Sequence, residues 1–164
     1  MSDDLTPGIP PLPRPLSCDE QHWLHMASAW AAKSKDPILR SGCVAVRSGR
    51  ILAGACDRFP EGSQDSTARR RDQGLRDLQL LSACSALVAD AARHGISLTS
   101  ASIYSWPLPP GARDTALLVD SGCREILFPA GVPIPSRLDA DTFHANATAA
   151  AAGVPRVAIE PEFL

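Results

Sequence analysis

The sequence predicts an α/β protein, one three-layer α/β/α sandwich around a mixed five-stranded sheet. Three observations lead there. Helical and strand periods alternate along the chain, and the first two strands are joined by a two-residue turn that makes them antiparallel. Each later strand follows a helix, the order that lays strands parallel in one sheet through right-handed crossovers. A length of 164 residues suits one core rather than two.

Residues 1–16 hold five prolines and few large apolar groups, which excludes a helix interior or a central strand. They read as a flexible tail, free to lie along a neighbouring subunit as an extended arm. Ser17 and Glu20 form a capping box, and Trp23, Met26, Ala27, Trp30 and Ala31 recur at helical spacing. A first helix from about Cys18 to Ser34 is therefore expected, ended by Asp36-Pro37. Cys43 to Val46 and Ile51 to Ala55 are apolar runs joined by Ser48-Gly49, the signature of a hairpin. Phe59 to Gly74 has no apolar period and reads as an exposed loop, with Arg69, Arg70 and Arg71 solvated within it.

Leu78, Leu81, Leu87 and Val88 lie in an alanine-rich stretch that reaches His94 and stops at Gly95, as a glycine-ended helix does. Ala101 to Trp106 predicts a strand broken by Pro107 to Gly111. A third helix follows over about Ala112 to Ser121, with Gly122 as its stop, and Glu125 to Phe128 is the next strand. Ser136 and Asp139 are candidate caps of a last helix through Ala152, which Gly153 ends before the strand Val154 to Ile159. The domain thus spans 17–160, with a short C-terminal tail at 161–164.

Composition narrows the function classes. Hydrophobic residues make up 45% and charged residues 21%, the balance of a globular protein. A formal net charge of -2 gives no pull towards nucleic acid or anionic membranes, so neither is expected as a partner. No apolar stretch approaches the roughly 20 residues that cross a bilayer. Asp3, Asp4 and the early prolines stand where an export signal needs a basic start and an apolar run. The five cysteines are odd in number and form no C-x-x-C pair, and so read as reduced thiols of a cytoplasmic protein.

Several segments resemble the deoxycytidylate deaminase family, in that family's order and spacing. Ser34-Lys35-Asp36-Pro37 and then Gly42-Cys43-Val44-Ala45-Val46 are similar to its S-K-D-P and V-G-A-V-I-V segments. Gly49-Arg50-Ile51-Leu52 and Phe59-Pro60-Glu61-Gly62 are similar to G-R-I-L and F-P-R-G, and Ala152-Gly153-Val154 to the closing A-G-V. The resemblance covers about residues 19–158 and implies the cytidine deaminase-like fold. It also places Asp57 where the family has an Asn beside the substrate sugar. Asp57, Phe59, Pro60 and Arg113 are accordingly the candidate nucleotide-binding residues.

Zinc deaminases carry H-x-E followed by P-C-x-x-C. One His and two Cys hold the metal, and the Glu moves protons as metal-bound water attacks the ring. In the corresponding places this chain has Ser82-Ala83-Cys84 and Pro110-Gly111-Ala112-Arg113-Asp114. The former ligand positions Ser82, Gly111 and Asp114 provide no zinc site, and Cys84 replaces the Glu with a thiol, a poor proton shuttle near neutral pH. Arg113 is expected to fill the space left by the metal and to pair with Asp114 or another acid.

The resemblance therefore implies a pseudoenzyme without zinc or catalytic residues, kept for binding, regulation or assembly, with weak nucleotide binding as one role. It also implies a homo-oligomer assembled through the helices that flank the former zinc site. Two alternatives stay open: zinc-independent chemistry at Cys84 or Asp114, and a metal relocated to Cys56, Cys84 and Asp114. The ancestral activity would be hydrolytic deamination of cytidine or dCMP.

Overall fold

A computed structural model describes residues 14–15 and 17–160. Apart from Arg14 and Pro15, the expected N-terminal tail lies outside the described residues, as does the C-terminal one. In chain order the elements are β1 (Arg14–Pro15), α1 (Cys18–Lys33), β2 (Gly42–Arg47), β3 (Arg50–Cys56), α2 (Thr67–Arg71), α3 (Gln73–Gln79), α4 (Ala83–Arg93), β4 (Ser102–Trp106), α5 (Ala112–Asp120), β5 (Glu125–Pro129), α6 (Asp139–Ala151) and β6 (Arg156–Glu160). A single 3-10 turn, Ser136–Leu138, leads into α6.

The sheet order is β1-β6-β5-β4-β2-β3. The five expected strands form a mixed sheet: β2 pairs antiparallel with β3 and β4, while β4, β5 and β6 run parallel. Arg14 and Pro15 add a short parallel edge beside Ile159 and Glu160, so part of the expected tail is a strand. Ser48 and Gly49 turn the hairpin with φ of 52 and 70 degrees, the left-handed pair that matches strand twist.

Alternation along β2 sends its side chains into two layers. Val44 and Val46 join Leu24 and Ala27 of α1, whereas Cys43 and Ala45 join Ala86, Leu87 and Ala91 of α4 and Leu118 of α5. Helix α1 begins with the expected capping box, Ser17 and Glu20 bonding each other's backbone amides. Small residues let it approach the sheet: a Cβ on Gly42 would lie 2.2 Å from the Ala27 carbonyl oxygen. Full burial of a Leu such as Leu24 or Leu87 contributes about 1.5–3 kcal/mol.

The stretch expected as an exposed loop differs. Ser66 accepts from the Arg69 amide and Asp72 from the Leu75 amide, and these caps set off α2 and α3 in succession. Neither helix has a fully buried residue, so no apolar period marked them in the sequence. The second central helix correspondingly starts at Ala83 rather than near Leu78, which stands 84% exposed on α3. Leu81 instead exchanges backbone hydrogen bonds with Arg58 at 2.9 and 3.1 Å, an extended break that frees Ser82 to cap α4. Neither Ser136 nor Asp139 caps α6: its N-cap is Leu138, with no side-chain bond. Among the described residues, no helix is long and apolar enough to cross a membrane.

Candidate functional site

A cavity of about 390 Å³ lies at the sheet edge where β3 and β4 end and β2 begins. Its walls include Asp57 just beyond β3, Ser105 in β4, Ser82 to Cys84 at the start of α4, and Gly111 and Asp114 at the start of α5. Two helix N-termini therefore converge on it, where orphan amides and the helix dipoles favour negative groups. The lining answers with five aspartates, Asp36, Asp57, Asp77, Asp114 and Asp141, against one cation, Arg76.

The aspartates are held differently. Asp114 accepts from the Ser82 hydroxyl at 2.6 Å and the Ser85 hydroxyl at 2.7 Å, both on Oδ1. Ser82 also caps α4 by accepting from the Ser85 amide at 3.1 Å, so one clasp locks α4 to α5. Asp57 is buried and ties three segments together. It accepts from the Ser41 amide at 2.6 Å, the Ser41 hydroxyl at 2.5 Å and the Ala83 amide at 3.0 Å. Burial nonetheless pushes its carboxyl above the ordinary range, against the pull of these bonds.

Asp141 reaches across from α6 and accepts from the Ala112 amide at 3.0 Å, capping α5 from another element. Its carboxylate occupies the space beside Gly111, where a Cβ would lie 2.2 Å from Asp141 Oδ2. Behind it Arg156 is buried, its Nη1 donating to the Pro110 carbonyl at 2.9 Å and the Thr115 hydroxyl at 2.6 Å. Among the described residues, Arg156 Nε and Nη2 have no hydrogen-bond partner. Burial lowers its pKa to about 10.

Cys84 lines the cavity, yet is only 3% exposed, and its sulfur lies 3.6 Å from that of Cys43. The Cys43 contact and burial together push the Cys84 thiol well above its ordinary range. A reactive thiol needs the opposite shift.

Of the residues singled out in the sequence, Ser82, Cys84, Gly111, Asp114 and Asp57 come together at this cavity. Phe59 is buried on a second, neighbouring cavity, and Pro60 lines a third. Arg113 is exposed and lines none of the three. The expected pairing of Arg113 with Asp114 is replaced by the two serines, and Asp141 takes the space expected for Arg113. Cys56 faces the second cavity rather than Cys84 and Asp114. Sequence reading missed Asp141, Arg156 and Arg76, since no motif links them to the segments they touch.

Neither a protein-family profile nor a curated protein matches the chain. Among solved structures it is similar to the dCMP deaminase of cyanophage S-TIM5 in its apo form. There the TM-score is 0.65 at 13% identity, over 87% of this chain and 99% of that one. The same enzyme in complex with dCMP and dUMP gives a TM-score of 0.69 at 13% identity, covering 86% of this chain and 97% of the other. The diaminohydroxyphosphoribosylaminopyrimidine deaminase/5-amino-6-(5-phosphoribosylamino)uracil reductase of Thermotoga maritima gives 0.60 at 18% identity, over 84% of this chain but only 35% of that longer protein. The chain has the fold of these deaminases.

Proposed function

We propose that the chain is a binding protein built on the deaminase fold, without zinc-hydroxide chemistry, whose cavity takes a small polar molecule rich in hydrogen-bond donors. The observation that carries this reading is the Ser82–Asp114–Ser85 clasp beside the Asp141 carboxylate, at the very positions where the resembling family would hold its metal. The donor set does not suit zinc: a capping hydroxyl, a glycine and one engaged carboxylate do not amount to three ligands. Among the described residues, no group of three or more His, Cys, Asp or Glu is disposed to hold a metal. Meanwhile a cavity of about 390 Å³ persists, within the size range of small-molecule sites, and its acidic lining complements amino groups.

The experiment pairs three measurements on the purified protein. Elemental analysis after dialysis should find no stoichiometric zinc. Incubation with cytidine, deoxycytidine or dCMP should release no ammonia above the blank. Thermal shift with the same compounds should be saturable for at least one of them, a ligand at 100 times its Kd adding about 2.7 kcal/mol. One zinc per chain with ammonia release would replace this reading by active deamination, and the absence of any ligand-dependent shift would remove the binding role. Assembly belongs to the same proposal. Leu117 on α5 is 44% exposed, an apolar group that a second subunit would cover. Light scattering should report at least twice the 17.4 kDa of one chain, and a monomer would exclude the homo-oligomer.

A further inference from the structure

A second cavity, of about 170 Å³, adjoins the first. The two share Asp36, Asp57, Arg76 and Leu80 as a common wall. Apart from that wall their charge is opposite. The first cavity adds Asp77, Asp114 and Asp141 with no cation, whereas the second adds Lys33, Lys35, Arg58 and Arg70 against Asp65 alone. We infer that the second cavity is an oxyanion site, which takes a phosphate group, free or esterified.

The cations come from four places in the chain, brought together only by folding. Lys33 ends α1 and lies over the Trp30 ring at 3.9 Å; Lys35 follows it in the connection to β2. Arg58 follows β3, and its guanidinium is fixed by Asp90 at 2.5 Å. Arg70 is delivered by α2, the helix that the sequence concealed, and is aligned by both oxygens of Asp65. Lys35 shares that same carboxylate at 3.9 Å. Arg70 keeps Asp65 below the ordinary carboxylate range, so Asp65 stays ionised; it orders Arg70 and Lys35 and offsets one of the four positive charges.

Fixed guanidinium groups and mobile ammonium groups are the usual pair for gripping phosphate oxygens. The acidic first cavity repels the same group, so a phosphate is directed to one chamber. Binding here does not depend on what the first cavity holds, and its test is separate.

The probe is inorganic phosphate, titrated calorimetrically into the whole chain at each of several fixed ionic strengths, with phenyl phosphate as a second arm. Saturable binding of either is expected, and tighter binding of the ester would identify a phosphorylated ligand rather than free phosphate. The double variant Lys33→Gln/Lys35→Gln changes two exposed side chains, so folding should be unaffected. It should weaken phosphate by at least about tenfold and flatten the salt dependence. Arg93→Gln, an exposed change outside this cavity, should leave phosphate affinity unaltered. No phosphate binding beyond that of chloride, or equal affinity in the double variant, would overturn the inference.

Discussion

Gly111 and Asp141 provide the sharpest test of how the start of α5 is packed. The backbone at Gly111 has φ of -70 and ψ of -176 degrees, extended geometry that any residue adopts, so alanine meets no conformational strain there. Its Cβ, however, would lie 2.2 Å from Asp141 Oδ2 and 3.1 Å from Cγ, and the carboxylate must leave. With it goes the cap on the Ala112 amide, a loss of about 0.5–2 kcal/mol. Replacing glycine at a compatible position restores about 0.4–1 kcal/mol by restricting the unfolded chain. The net effect of Gly111→Ala in the natural chain should therefore lie between a gain of about 0.5 and a cost of about 1.6 kcal/mol. With Asp141→Ala already present, the same change should stabilise by about 0.4–1 kcal/mol, since nothing remains to displace. The assay is a double-mutant cycle by thermal unfolding, where a coupling of about 1 kcal/mol moves the midpoint by about 2–4 °C in a chain of this size. An equal effect of Gly111→Ala in both backgrounds would refute the view that Asp141 occupies that space.

Two further outcomes follow from burial. Because burial raises the Asp57 pKa above 3.8, the folded state holds this proton more tightly than the unfolded one. Its favourable contribution is complete below the unfolded value and is lost as pH rises through the raised one. Urea midpoints of Asp57→Asn relative to the natural chain should therefore shift in the variant's favour as pH rises above the ordinary carboxylate range; a shift the other way would mean that the hydrogen bonds outweigh burial. A thiol reagent should label exposed Cys18 at once in the native protein. Cys43, Cys84 and Cys123, the last pushed up to about 11 by burial, should react at least about a hundredfold more slowly until denaturant is added, and rapid labelling of Cys84 would revive it as a reactive group.

Local physics was enough for much of the molecule. The Ser17–Glu20 box, the Ser48-Gly49 turn and the glycine stops at Gly95, Gly122 and Gly153 each act within a few residues, so the sequence alone determined the main helices, five strands and their order. The resemblance set Ser82, Gly111 and Asp114 against the ligand positions of a zinc pattern, and Cys84 against its Glu. Short capped helices escaped, because α2 and α3 bury no complete side chain and leave no apolar period to read. What fills the site was decided by tertiary structure. Asp141 caps an amide 29 residues away, and Arg156 reaches a carbonyl 46 residues away. Lys33, Lys35, Arg58 and Arg70 line one cavity only once the end of α1, the segments after α1 and β3, and α2 are folded together. A carboxylate or guanidinium looks the same in a sequence whether it is solvated or buried, and only the packed chain sets which helix end, cavity or counter-charge it meets.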